Sequence, residues 1–197
     1  MSSYDKPDFW ALKAKKDGYP ARSVYKLMEI DKKFSLIRPG ARVLDIGAAP
    51  GSWSLWVLKR LAGQGFVAAV DLQDLSPRPS FNNYLFLRGD LFDPELRSRL
   101  VAAGPYGLVL SDAAPATTGN RLVDQAASEG LVEAVIEYAE AGLSPGGALV
   151  AKIFQGGAES ALLKRLRGRF AKARGFKPEA CRSESFETYL VATGFKA

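Results

Sequence analysis

The chain has 197 residues, 47% of them hydrophobic and 24% charged, with a formal net charge of +6, a globular balance long enough to bury a full core as one domain. It contains no histidine and one cysteine, Cys181, which excludes an intramolecular disulfide, His/Cys zinc sites, Ser-His-Asp triads and Cys-His catalysis, and leaves Lys, Asp, Glu or Tyr as the general base. No apolar run approaches the roughly 20 residues that cross a bilayer, and the opening MSSYDKPDFW has no apolar signal core, so a soluble cytoplasmic protein is expected.

Residues 21–38 come first in the pattern. Leu27, Ile30, Phe34 and Ile37 recur at helical spacing and predict a helix that packs one side on the body, leaving Arg22, Lys26, Lys32 and Lys33 for other surfaces. Residues 1–38 therefore read as a basic helical attachment to a domain over 39–197, the two forming one structural unit. From there short β-branched runs at 42–46, 65–70, 84–87, 108–111, 148–154, 176–182 and 188–193 alternate with helical stretches at 52–61, 94–102, 122–141 and 158–171. This order predicts an α/β fold, a mostly parallel seven-stranded sheet with helices on both faces. The last two strands leave no room for a crossover helix, so they should form an antiparallel pair. Arg38-Pro39-Gly40 and Ser144-Pro145-Gly146-Gly147 read as turns.

Charge is unevenly placed. Residues 1–38 carry 9 Lys/Arg against 5 Asp/Glu and residues 151–182 carry 9 against 2, whereas residues 39–150 carry 8 against 12. An acidic middle between two basic segments would give a positive face for a polyanion if the fold gathers them on one side.

The strand at 42–46 runs into Asp45-Ile46-Gly47-Ala48-Ala49-Pro50-Gly51-Ser52-Trp53, a strand, a glycine-rich turn and a helix start, the position where doubly wound folds bind nucleotide-type cofactors. It lacks the Lys-Ser/Thr of a P-loop and the third glycine of a dinucleotide loop. Asp71 ends the second strand, where a carboxylate can accept from both hydroxyls of a ribose, and Asp90 follows the third. Together they point to an adenosine-containing ligand. Ser111-Asp112-Ala113-Ala114-Pro115 ends the fourth strand, and Lys152 stands inside the apolar fifth. A lysine there needs a carboxylate partner or must lose its proton. Adjacent strand ends would put Asp112 beside it, and spacing alone does not separate a structural ion pair from a catalytic one.

Several stretches in order, ARSVYKLMEID, RVLDIGAAPGSWS, AVDL, RGD, LSDAAP, LSPGGALVAKIFQG and ETYLVATGFK, make the chain, from about Asp8 to its end, resemble the FtsJ/RrmJ-type ribose 2′-O-methyltransferases, which use S-adenosylmethionine on RNA. The resemblance implies a single Rossmann-like methyltransferase domain. It places that family's Lys-Asp-Lys-Glu catalytic set on Lys26, Asp112, Lys152 and Glu187, and its cofactor residues on Gly47, Pro50, Gly51, Trp53, Asp71 and Asp90, with Asp112 beside the methyl donor as well. Two departures stand out. Ser52 replaces a glycine common in the family's loop, where it is expected to cap the following helix. Ala116-Thr117-Thr118-Gly119 replaces an Asn-led segment on the substrate side.

A 2′-hydroxyl is a poor nucleophile until its proton is accepted. Lys152 is expected to be the base, with Lys26 and Asp112 as electrostatic and orienting partners and Glu187 holding lysine or ribose. A neighbouring cation and partial burial would favour the neutral amine, while Asp112 opposes that, so the groups should titrate as a set. The reaction requires no metal. Lys13, Lys15, Lys16 and Arg22, with Arg165 and Arg169 from the late basic segment, are expected to flank the site and meet RNA phosphates.

Rival chemistries lack their residues. A base amino-methyltransferase would carry an aromatic ring where Ala116 stands, a cytosine-C5 enzyme would need a cysteine near that loop, and a dinucleotide oxidoreductase would need the third glycine. A non-catalytic RNA-binding module would not need Lys26, Asp112 and Lys152 together. The expected substrate is a uridine of large-subunit ribosomal RNA, free or in the subunit or its precursor, with tRNA as the alternative, and the expected state is a monomer without membrane or metal partners.

Overall fold

The computed structural model describes residues 8–182 and 185–197. Two helices, α1 (Phe9–Lys16) and α2 (Val24–Phe34), precede β1 (Arg42–Ile46), α3 (Ser52–Leu61), β2 (Phe66–Asp71), β3 (Tyr84–Arg88), α4 (Pro94–Ala102) and β4 (Tyr106–Ser111). Then follow α5 (Arg121–Gly142), β5 (Leu143–Phe154), α6 (Ala158–Arg169), β6 (Phe170–Phe176) and β7 (Glu187–Phe195). The seven strands form one sheet in the order β3-β2-β1-β4-β5-β7-β6, parallel except for β7, which runs antiparallel to both neighbours. The chain leaves β1 toward β2 and β3 on one side and returns to β4 on the other. This puts the topological switch, and with it the crevice where such sheets bind ligands, at the carboxyl ends of β1 and β4.

Alternation along the strands builds two cores. Val43, Leu108, Leu110 and Val150 meet Leu27 and Ile30 of α2 and Val57 and Leu58 of α3 on one face, while Leu44, Val109, Leu149 and Ile153 meet Val132 and Ile136 of α5 and Leu162 and Leu166 of α6 on the other. Local chemistry starts the helices where it should. Asp93 caps α4, with Pro94 at the first helical position, and Asn120 caps α5 by accepting from the amides of Leu122 and Val123. Among the described residues no helix is long and apolar enough to cross a membrane.

Three local expectations change. The helix before β1 stops at Phe34, because Ser35 takes a left-handed conformation (φ 53°) and the Asp31 carboxylate accepts from the amides of Leu36 and Ile37 at 2.8 and 2.7 Å, so Ile37 enters the core from coil. The Ser144–Gly147 turn is drawn into the long β5, with a register break against β4 between Tyr106 and Leu108. The largest change is β6. In place of a helix to 171 and a strand at 176–182, α6 ends at Arg169 and the strand starts at Phe170. Phe170 is wholly buried and pairs with Phe195, and the ladder runs to Phe176 opposite Tyr189. Residues 177–182 instead form a turn, held where the Glu29 carboxylate accepts from the amides of Glu179 and Ala180 at 2.7 and 2.9 Å. The last strand pair is antiparallel, as the short connection requires.

Candidate active site

At the end of β1 the chain turns on Gly47, whose φ of +76° and 2.6 Å gap from an ideal Cβ to Ala113 Cα admit no side chain. The amides of Gly47 and Ala48 both reach the Val70 carbonyl, and Ala49 donates to Asp71 Oδ2 at 2.8 Å. The loop is thus tied to the end of β2. Asp71 Oδ1 takes the Gln73 amide at 2.8 Å, and Asp90 Oδ1 takes that of Phe92 at 3.0 Å. These residues border a cavity of about 1070 Å³ whose walls include Gly47, Pro50, Asp71, Asp90, Asp112 and Phe92, room for a nucleoside with an amino-acid appendage.

Two of the expected cofactor positions lie off this cavity. Trp53 is 2% exposed, donates its indole N–H to the Ser23 carbonyl at 2.8 Å and packs against Tyr189, so its ring joins α3 to α2. Gly51 is the N-cap of α3 and its Cβ position looks toward Leu75 and Pro77. Ser52 does not cap the helix; its Oγ accepts from the Ala21 amide at 2.7 Å and ties the N-terminal segment to the loop.

Beneath the loop Asp45 is fully buried. Ser54 Oγ donates to its Oδ2 at 2.6 Å, and its Oδ1 has no partner among the described residues. Burial pushes this carboxyl up to about 7, helped by the negative charges of Asp112 and Asp71 and opposed by the Ser54 hydrogen bond. Because the ordinary value is 3.8, the unfolded chain gives up this proton first as pH rises. The native state then holds more protons between about pH 4 and 7, and stability falls across that window by up to roughly 4 kcal/mol. Asp45→Asn should abolish this component. Denaturant unfolding at pH 5 and 8 should show the wild type losing more stability than the variant, and equal losses would contradict the buried, protonated carboxyl.

The other functional side chains stand at the carboxyl ends of β4 and β5 and at the amino end of the antiparallel β7. In the β5–β7 ladder Lys152 lies opposite Tyr189 and Phe154 opposite Glu187, so all four share one face. Lys152 Nζ is 3.1 Å from Asp112 Oδ1 and donates to the Asp112 carbonyl at 2.6 Å, while the Tyr189 hydroxyl donates to the same Oδ1 at 2.7 Å. Lys26 on α2 pairs with Glu187 Oε1 at 2.5 Å. These four charged side chains are only 9 to 16% exposed. The expected set is therefore brought together as two pairs, Lys152–Asp112 and Lys26–Glu187. Tyr189 had no role in the sequence reading. Its one signal was a period of two from Glu187 along an apolar strand. Burial first, then the charges of Asp112 and Glu187, hold its phenol well above the usual range, so it stays a donor. Burial, with Glu187, likewise pushes the Cys181 thiol up to about 12, which leaves it inert as a nucleophile.

The expected phosphate contacts divide. Arg22 pairs with Asp8 and donates to the Ala180 carbonyl at 2.6 Å, and Lys13 pairs with Asp17 while lying 4.6 Å from the Tyr25 ring. These residues, with exposed Lys15 and Lys16, belong to the segment fastened near the Gly47–Gly51 loop. Arg165 and Arg169 are not brought there. Both pair with Glu140, and Arg169 precedes Phe170, which faces Phe195 at the end of the sheet opposite Lys152. α6 starts near the site and carries its basic last turn away from it.

A family model for FtsJ-like methyltransferases matches residues 19–195. The chain belongs to the FtsJ-like methyltransferase family. Among FtsJ-like relatives it is 52% identical, over 99% of this chain and 98% of the other, to ribosomal RNA large subunit methyltransferase E of Treponema denticola. It is 46% identical to the protein of the same name from Treponema pallidum, over 100% and 98% of the two chains. A crystal structure described as a ribosomal RNA methyltransferase of Plasmodium falciparum superposes with a TM-score of 0.77 at 27% identity, over 90% of this chain and 98% of that one. Human methyltransferase-like protein 13, solved in complex with SAH, shares the fold with a TM-score of 0.58 at 16% identity, over 86% and 81% of the chains. The Rossmann-like methyltransferase fold is thus common to close and distant neighbours.

Proposed function

We propose that the chain transfers the methyl group of S-adenosylmethionine to the 2′-hydroxyl of a ribose, a uridine being the expected nucleotide, in large-subunit ribosomal RNA. The observation that carries the reading is the Lys152–Asp112–Tyr189 cluster on the rim of the cavity, with Lys26–Glu187 beside it. The names of the relatives supply the RNA class.

The cavity suits the cofactor. Each Asp71 oxygen has accepted one backbone amide and keeps a second lone pair for a ribose hydroxyl, and Asp90 spends only Oδ1 on Phe92. Asp112 lines the cavity and reaches Lys152, so it joins the two subsites. When bound, the cofactor supplies a methyl on a sulfonium, an electrophile ready for in-line displacement. Lys152, once it has given its own proton to solvent, would accept the proton of the attacking 2′-hydroxyl as a neutral amine and later return it to solvent. Asp112 is held from two sides by the Lys152 amine and the Tyr189 hydroxyl, which fixes the base without a histidine. Lys26 and Glu187, paired and nearly buried, orient the ribose side of the site.

The RNA class is tested with methyl-labelled S-adenosylmethionine and separated RNAs. Label should enter large-subunit RNA or the subunit itself and leave small-subunit RNA and tRNA unlabelled. Label confined to tRNA would overturn the assignment.

A further inference from the structure

The mechanism leaves unused an aromatic group at the mouth of the site. Phe154 lies two residues past Lys152, and Phe186 immediately precedes Glu187. Their ring centroids are 4.8 Å apart in an edge-on arrangement, and the Arg121 guanidinium at the start of α5 lies 5.6 Å from the centre of the Phe186 ring. Both rings are half-buried. Arg121 is exposed and makes no ion pair among the described residues. Beside it Leu122 and Val123 are 78% and 49% exposed.

The backbone under this group is fixed. Gln155 donates its amide to the Phe186 carbonyl at 2.7 Å, the Phe154 amide donates to Ser128 Oγ at 3.0 Å, and the Gln125 side chain donates to the Gln155 carbonyl at 2.5 Å. A half-open ring held in place with a guanidinium over it offers what an unstacked base requires, a π surface and a planar cation in one stack. It also stands where a base must come. The 2′-hydroxyl that Lys152 addresses is one carbon from the glycosidic bond, so the target base or its neighbour lies within a sugar's width of the reacting oxygen.

Resting on the ribose-methylation reading above, we propose that Phe186, buttressed by Phe154 and flanked by Arg121, is a base-stacking subsite for single-stranded RNA at the target nucleotide or next to it. The occupant is a nucleobase. A protein partner would use the same apolar surface without regard to whether the RNA carries bases.

The test compares a short oligouridylate with an abasic ribophosphate of equal length and charge, binding to the full chain. Wild type and Phe186→Tyr should prefer the oligouridylate by about tenfold, the size of one stacked base. Phe186→Leu, apolar but not aromatic, should lose most of that preference, and Arg121→Ala part of it. Affinity for S-adenosylmethionine and the unfolding temperature should stay at wild-type values, which separates a lost contact from a damaged fold. Equal affinity of the wild type for the two probes, no binding of either, or a Phe186→Leu variant with the full preference would overturn the subsite. The position of the transferred methyl is read separately, so a base preference with methyl found elsewhere than ribose would overturn the catalytic reading and leave the subsite standing.

Discussion

Replacing Lys152 by alanine is expected to slow methyl transfer in a single turnover by at least about a hundredfold, the contribution typical of a positioned general base. Binding of S-adenosylmethionine and RNA should persist, because the cavity walls and the basic N-terminal segment are untouched. Alanine alone does not separate a base from a fixed cation, since Lys152 also pairs with Asp112 at 3.1 Å. Arginine does. It keeps a positive charge beside Asp112 and does not give up its proton, so Lys152→Arg should be nearly as slow as Lys152→Ala if the amine accepts the proton. An arginine variant close to wild type would reduce Lys152 to an electrostatic partner and leave Asp112 as the base. Tyr189 would still donate to Asp112 in both variants, so neither should collapse the carboxylate's position.

Gly47→Ala should be similarly damaging from a position that carries no functional group. An ideal Cβ there would lie 2.6 Å from Ala113 Cα and 2.7 Å from Ala113 N, and the backbone sits at φ +76°. The strain costs on the order of 1 to 3 kcal/mol. The contact is with backbone, so the strand end carrying Asp112 has to move. A shift of about 1 Å in a catalytic group is enough to cost about a hundredfold in rate. Gly63→Ala supplies the control, with a comparable φ of +82° and nothing within 4 Å of the added carbon. It should lose only the stability that the backbone strain costs and keep its activity. A Gly47→Ala enzyme with unimpaired methyl transfer would show that the approach of the loop to Ala113 does not position Asp112.

The sequence made legible what depends on local pattern. Alternating strands and helices were read with their order, and the acids and lysines expected at strand ends are found there because position in a doubly wound fold follows from the chain's own periodicity. Features set by distant partners were not legible. Residues 170 and 171 read as the end of a helix and 172–175 as the connection to a strand at 176, and this stretch becomes β6 only because β7 offers a ladder and a pocket for Phe170. Trp53 sits in the loop motif, yet its ring turns to Ser23 and Tyr189, partners that the fold alone supplies. Arg165 and Arg169 look like part of a basic stretch near the site, but a helix of 12 residues spans the sheet and delivers its last turn to the far end, beside Glu140. Asp112 beside Lys152 follows from adjacent strand ends, whereas the choice of Glu187 for Lys26, rather than for Lys152 or ribose, is set by where α2 packs. No spacing rule makes that choice.

The central claim, methylation of a ribose oxygen by a lysine-based site, is tested most directly by locating the methyl group. Large-subunit RNA labelled by the enzyme from methyl-labelled S-adenosylmethionine is digested to nucleosides and the label assigned to base or sugar by mass spectrometry. All of it should be found on 2′-O-methylated nucleoside, at a linkage that resists alkaline cleavage, and Lys152→Ala should leave that position unlabelled. Label on a base ring or exocyclic amine, with the 2′-hydroxyl free and the linkage cleaved by alkali, would contradict the account.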